Sequence, residues 1–247
     1  MASLKENIDP VNLPQHIAVI MDGNGRWAKN KGAARIFGHR NAIKAVRQVI
    51  EGAGELGVKY LTLYAFSTEN WGRPKEEVDA LMELLVNTLK KEISSLHKNN
   101  VKLGTIGDTN RLPKDCRENL IKAMDGTKNN TGLNLLIALN YSGRWEILDA
   151  VKRLSEKVKD GSLNPNGIDE NTFGEFLSTN GVPDPELLIR TSGEMRVSNF
   201  LLWQIAYSEI YITPKLWPDF RKEDLYEAII EYQKRERRFG KVLTPIA

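Results

Sequence analysis

Six short apolar runs alternate with amphipathic stretches along the 247 residues, and that alternation restricts the chain to α/β architectures. The runs cover residues 16–21, 60–66, 101–106, 133–139, 187–190 and 209–212. They are short and nearly continuous in apolar character, as strands covered on both faces are. Between them the spacing predicts helices over 38–56, 76–98, 113–124, 142–158 and 169–177, and a basic helix over 224–239. Local signals agree. Gly57 suits the residue after a helix end, Pro74 a first helical position, and Ser142 and Asp169 helix N-caps. The expectation is a single domain over residues 15–247, preceded by a flexible polar segment over 1–14. Its core is a mostly parallel central sheet of about six strands covered by helices. Gly52-Ala-Gly54-Glu-Leu-Gly57 spells GxGxxG but ends a helix ahead of a strand, the reverse of a dinucleotide site.

Composition narrows the function classes. Lys and Arg number 35 against 32 Asp and Glu, so no global charge points to nucleic acid, and any cationic site must be local. The single Cys116 excludes an intrachain disulfide framework and a Cys-rich zinc site, which suits a reduced, cytoplasmic setting. The first 14 residues lack the apolar core of a signal peptide, and no run approaches the roughly 20 apolar residues of a membrane helix.

The polar clusters fall where the runs end. Ile17-Ala-Val-Ile-Met-Asp22-Gly-Asn-Gly-Arg26-Trp27 places one acid, two glycines and one cation at the exit of the first strand. Gly23 and Gly25 let the backbone approach a ligand closely, and a helix starting at Arg26 would offer free N–H groups to phosphate. Asp22 could hold Mg²⁺, which takes one or two carboxylates plus substrate phosphates. The segment thus reads either as a Mg²⁺-diphosphate site or as a Gly-rich turn with a capping Asp. Ser67, Asn70, Trp71 and Arg73 follow the second strand, as a neutral and cationic ligand surface or as a capping loop with a core Trp. Arg190, Arg196 and Ser198 leave the fifth strand, and Arg suits bidentate contact with diphosphate oxygens, although two surface arginines can also be merely solvated. Arg35 and His39 share a helix face if the helix begins that early. Glu209 enters an apolar strand and needs a cation or hydrogen bonds there. No GxxxxGK[ST], HExxH, GxSxG or DDxxD occurs, which removes P-loop, zincin, α/β-hydrolase and trans-type prenyl synthase readings. The run Lys234-Arg-Glu-Arg-Arg238 suits either RNA or a solvated helix face.

Taken together, the blocks His16-Ile-Ala-Val-Ile-Met-Asp-Gly-Asn-Gly-Arg-Trp-Ala28, Gly38-His39, Tyr64-Ala-Phe-Ser-Thr-Glu-Asn-Trp-Gly-Arg-Pro74, Asn140-Tyr-Ser-Gly-Arg144, Leu188-Ile-Arg-Thr-Ser-Gly-Glu194, Arg196 through Gln204 and Trp217-Pro-Asp-Phe220 resemble the cis-prenyltransferases, in particular the bacterial undecaprenyl diphosphate synthases. They span nearly the whole chain in the family's order. The resemblance implies the family's α/β fold, which is not a Rossmann fold, a homodimer, and Mg²⁺-dependent condensation of isopentenyl diphosphate onto farnesyl diphosphate to build a C55 carrier lipid for cell-wall glycans. It implies no nucleic-acid partner, and only transient membrane contact for product release.

By the same resemblance Asp22 would hold the metal, with Glu209 assisting. Gly23, Asn24, Gly25 and Arg26 would cradle the allylic diphosphate beside Trp27, Arg35 and His39. Arg190, Arg196, Val197 and Ser198 would hold isopentenyl diphosphate, and Ser67, Thr68, Glu69, Trp71 and Arg73 would line the junction. Asn70 stands at the position assigned to proton removal, although a neutral amide is a poor base and suits orientation better. Arg238-Phe-Gly240 resembles an element that reaches toward the partner subunit. Met195 replaces a His that some members place near the metal. The resemblance leaves open a synthase of other chain length. A non-catalytic partner subunit would show erosion of Asp22, Arg26 or Asn70, and all three are present. The tunnel that a long product needs is expected along the helix over 76–98 and the strands over 60–65 and 133–139.

Overall fold

A computed structural model describes residues 4–237. The six runs become strands β1 (His16–Ile20), β2 (Tyr60–Ser67), β3 (Lys102–Ile106), β4 (Asn134–Tyr141), β5 (Leu187–Arg190) and β6 (Glu209–Ile212). They form one sheet in the order β3-β4-β2-β1-β5-β6, and every neighbouring pair is parallel. The helices are α1 (Asn24–Asn30), α2 (Arg35–Leu56), α3 (Lys75–Lys98), α4 (Lys114–Thr127), α5 (Gly143–Lys159), α6 (Glu170–Gly174) and α7 (Lys222–Gln233). Strand alternation divides the core. Ile17 and Val19 face the layer made by α2, α3, α4 and α7, whereas Ala18 and Ile20 face a smaller cluster with Tyr141, Phe200 and Leu201. Both faces of β1 and β5 are covered, and every residue of these two strands is buried.

Several boundaries differ from expectation for local reasons. The second helix begins at Arg35, three residues before Gly38, so Arg35 and His39 do share a helix. Gly57 ends that helix at φ 85°, as its position promised. Pro74 is the cap residue of α3 instead of its first helical residue. The last helix stops at Gln233, and the remainder of the stretch expected to reach Phe239, with Arg238-Phe-Gly240, lies outside the described residues. The segment expected to be flexible carries two 3-10 turns, Leu4–Asn7 and Pro10–Asn12. Ile8 joins the core between them, and Gln233 Nε2 donates to the carbonyls of Asp9 and Asn12 at 2.7 and 2.9 Å.

Candidate active site

The central strand β1 is flanked by β2 on one side and β5 on the other, so the loops leaving these three strands meet at the carboxyl edge of the sheet, where open parallel sheets bind ligands. Asp22 follows β1, Ser67 ends β2 and Arg190 ends β5. Thr191 fixes the first of these loops. Its hydroxyl accepts from Asp22 N at 2.9 Å and donates to Asp22 O at 2.7 Å. Gly23 then turns at φ 102°, and a Cβ there would lie 2.8 Å from Leu216 Cδ2, so only glycine fits. The helix that follows, α1, starts at Asn24, two residues earlier than expected.

Arg190 is the buried anchor of the site. Its side chain is 4% exposed, and Nη2 donates to Asp22 Oδ2 at 2.8 Å while Nη1 donates to Ser198 Oγ at 2.6 Å and to the carbonyl of Arg196. Burial pushes the Asp22 carboxyl up. The hydrogen bonds from Arg190, Gly23 N–H and Ser192 outweigh it and hold the group below the usual carboxylate range, so Asp22 is ionised at neutral pH. Arg26 approaches Asp22 at 3.9 Å, pairs with Glu194 at 3.2 Å and donates to Ser192 Oγ. Arg196 pairs with the same Glu194. The loop that presents these groups is strained, with Ser192, Ser198, Asn199 and Leu201 all at positive φ.

A second cationic group stands across the mouth. Glu77 of α3 lies 2.9 Å from Arg73 Nη1 and 3.6 Å from Arg35 Nη1, tying α2, α3 and the loop after β2 together. His39 stands among them. Burial, then the charges of Arg73 and Arg35, depress it to about 4 against the opposing pull of Glu77, so it is neutral at pH 7. Asn70 Oδ1 accepts from Ser67 N at 3.1 Å, which commits its carbonyl to the turn. Glu69 Oε1 accepts from Asn199 Nδ2 at 2.7 Å and joins the loop after β2 to the loop after β5.

One cavity of about 440 Å³ joins this mouth to an apolar tunnel. Its polar end is lined by Asp22, Gly23, Asn24, Gly25, Arg35, His39, Ser67, Asn70, Arg73, Arg190 and Ser198. Its apolar end runs between α2 and α3 over the sheet, past Ile43, Val46, Leu85, Leu89, Leu103 and Leu135. The helix and strands expected as walls are there, and α2 is the wall that sequence reading left out.

Other expected residues stand apart from the cavity lining. Arg26 and Arg196 converge on Glu194 beside Asp22. Trp27 stacks on Phe37 at 5.7 Å, and Val197 packs in the smaller core. Thr68 hydrogen-bonds Glu69, and Trp71 donates to Asn140 Oδ1 at 2.7 Å and meets Phe66 edge-on. Glu209 is the one residue the structure separates from the group. It opens β6 opposite Leu187, at the amino edge of the sheet, and pairs with Arg235 at 2.8 Å. Three strand residues, about 10 Å, separate that edge from Arg190, so within one chain Glu209 does not share a metal with Asp22. Glu77, Thr191, Ser192 and Glu194 were assigned no role from sequence. Only Glu194 carried a signal, as an acid between two arginines.

The donor set around Asp22 suits a hard divalent cation. It holds one ionised carboxylate, and Asn24 Oδ1 is a buried acceptor with no protein partner. Among the described residues no group of three acidic, His or Cys side chains forms a closed metal cage, so the remaining ligands would have to be substrate oxygens or water.

Comparison with known proteins agrees with this geometry. Residues 20–240 match a family model described as "Putative undecaprenyl diphosphate synthase". The chain is 53% identical over 238 residues to the isoprenyl transferase of Clostridium tetani, covering 96% of this chain and 93% of that one. It is 53% identical over 233 residues to the ditrans,polycis-undecaprenyl-diphosphate synthase, (2E,6E)-farnesyl-diphosphate specific, of Pasteurella multocida, covering 94% and 97%. Among solved structures, lavandulyl diphosphate synthase from Lavandula x intermedia, in complex with dimethylallyl diphosphate, superposes with a TM-score of 0.91 at 39% identity, over 94% of this chain and all of that one. Fold, cationic mouth, tunnel and likeness over nearly the full length converge: the chain belongs to the undecaprenyl diphosphate synthase family of prenyltransferases.

Proposed function

We propose that this protein condenses isopentenyl diphosphate repeatedly onto farnesyl diphosphate, with Mg²⁺, to give undecaprenyl diphosphate. The observation that carries the reading is the continuity of the cavity, in which arginines and one ionised carboxylate open directly onto an apolar tunnel. Gly23, Asn24 and Gly25 at the start of α1, with Arg26 and Arg35, hold the allylic diphosphate. Arg190, Arg196 and Ser198 hold that of isopentenyl diphosphate. The allylic C–O bond breaks, and its electron pair leaves with diphosphate. The double bond of isopentenyl diphosphate then attacks the allylic carbon, and a proton leaves its second carbon. Charge grows on the departing diphosphate, so arginines fixed in place stabilise the transition state more than the ground state. Asp22 would hold a Mg²⁺ ion, which would supply further charge neutralisation to those oxygens. Asn70, its carbonyl tied to Ser67 N, orients the homoallylic unit, and a diphosphate oxygen takes the proton.

Exposed apolar side chains on α5 (Leu148, Val151), at Trp203 and Tyr207, and on the edge strand β6 (Ile210) support a homodimer. No helix among the described residues is long and apolar enough to cross a membrane, which suits a cytoplasmic enzyme that meets the bilayer only to pass on a precursor for cell-wall glycans. Product length is the finer point on which a relative named for lavandulyl diphosphate warns that this fold serves more than one product. Radiolabelled isopentenyl diphosphate with farnesyl diphosphate and Mg²⁺ tests the reading. A C55 ladder is expected, a ladder ending elsewhere would keep the reaction and change the product, and no incorporation would overturn the reading.

A further inference from the structure

We propose that the seam between α2 and α3 is a second, lateral mouth of the tunnel, held shut by the Arg47–Glu92 ion pair, and that its basic rim docks on an anionic lipid bilayer so that the finished chain leaves sideways. This rests on the polyprenyl-synthase reading above. The tunnel wall is apolar along most of its length, and the exception lies where Arg47 of α2 meets Glu92 of α3. Arg47 Nε lies 3.0 Å from each Glu92 oxygen, a forked contact that bridges the two helices. The Glu92 side chain is 16% exposed and that of Arg47 53%, so the pair sits at the boundary between hydrocarbon space and water. Its outer side lines a second cavity of about 300 Å³. The two cavities share Ile43, Arg47, Leu84, Thr88 and Glu92, so the wall between them is one side chain thick.

The outer cavity has one sign of charge. Arg40, Lys44, Arg47 and Lys91 line it against the single carboxylate of Glu92, which Arg47 already engages. Arg40, Lys44 and Lys91 are exposed and take part in no ion pair among the described residues. Lysines and arginines grouped on one surface are attracted to anionic lipid headgroups, each adding to the total.

Size and solvent give the seam its purpose. A cavity of about 440 Å³ is of the size that holds drug-sized ligands, roughly 300–1,000 Å³, whereas a polyprenyl chain is several times longer than farnesyl. A chain that outgrows the tunnel must displace a wall, and this wall is closed by an ion pair whose Arg47 side chain is half exposed, and partly solvated pairs contribute little net stability. Leaving through the diphosphate mouth would draw the hydrocarbon through water past arginines. Leaving through the seam into a bilayer exposes no apolar surface.

The test uses the full chain and vesicles of phosphatidylglycerol or phosphatidylcholine. Wild type is expected to co-sediment with phosphatidylglycerol and not with phosphatidylcholine. Arg40→Ala/Lys44→Ala/Lys91→Ala should lower that partition by on the order of a hundredfold while the first condensation on farnesyl diphosphate is unchanged. Arg47→Ala should lengthen the product ladder and raise turnover without vesicles, and the exchange Arg47→Glu/Glu92→Arg should restore the wild-type ladder. Equal binding of wild type to both vesicles, full binding by the triple variant, or an unaltered ladder in Arg47→Ala would overturn the proposal. Failure of wild type to incorporate isopentenyl diphosphate at all would instead overturn the functional reading, and the vesicle comparison would still decide the docking face.

Discussion

Arg190 is buried and Asp22 is the carboxylate that neutralises it, so the two must be judged together. Removing Asp22 leaves a guanidinium in the interior without its counter-ion. Breaking a fully buried pair costs about 3–5 kcal/mol. The Asp22 side chain is a third exposed, so Asp22→Ala should cost nearer 2 kcal/mol and lower turnover by at least about a hundredfold. Asp22→Asn keeps the shape but only one of the two oxygens that accept from Gly23 N and Arg190 Nη2, so it should cost about 1–2 kcal/mol and remain slow, which thermal melts and isopentenyl diphosphate incorporation measure. Asn70 separates structure from chemistry in a second way. Asn70→Asp still accepts from Ser67 N and should keep stability within about 0.5 kcal/mol, whereas Asn70→Ala should lose about 1 kcal/mol with the cap. Unchanged turnover in Asn70→Asp would remove Asn70 from the reaction.

Helix placement decides whether those residues meet. Helices α1 and α2 pack so closely at Gly38 that a Cβ there would stand 2.0 Å from Asn24 O. The close approach lets Arg35 and His39 of α2 face the phosphate-binding turn at the start of α1. Gly38→Ala should force the helices apart, cost roughly 1–3 kcal/mol, and raise KM for the allylic diphosphate more than for isopentenyl diphosphate, which steady-state kinetics would detect. Equal changes in both KM values would mean that the two helices move with the whole site. Glu77 acts at the same scale, since one carboxylate holds Arg35 and Arg73 from two elements. On α3 it stands with Glu76 in the acidic first turn of the helix.

Across the whole molecule the buried histidines set a pH dependence. His16 Nδ1 lies 2.6 Å from the carbonyl of Pro183, which can only accept, so Nδ1 carries the proton and Nε2 accepts from Thr62 at 2.7 Å. Burial dominates and lowers this histidine to about 4 despite the opposing pull of Pro183 and Glu186. Between pH 6.5 and 4 the unfolded chain therefore binds more protons than the folded one, and stability falls as the pH falls through that window. The loss from His16 is bounded by about 3 kcal/mol. His39, lowered to about 4, acts in the same direction. Melting temperature should be level from pH 7 to 8 and decline steadily toward pH 4. A level profile down to pH 4 would show that neither histidine is held neutral.

The six apolar runs, their helical spacers and the motif at Asp22 were legible without coordinates, because a strand covered on both faces and a Gly-rich turn before a helix leave local signatures of period and residue type. Asp22, Arg190 and Ser67 could be placed near one another on topology alone, since parallel strands deliver their ends to one edge. Glu209 could not be placed. Its apolar neighbours identify a strand but not which end of it faces the ligand edge, and the pairing of Glu209 with Leu187 put it at the wrong one. The α2 wall of the tunnel, the bridging of Glu77 and the Arg47–Glu92 pair were likewise decided by packing. Each depends on how two helices distant in sequence lie across the sheet, and an amphipathic helix reads the same whether its apolar side meets a core or lines a cavity.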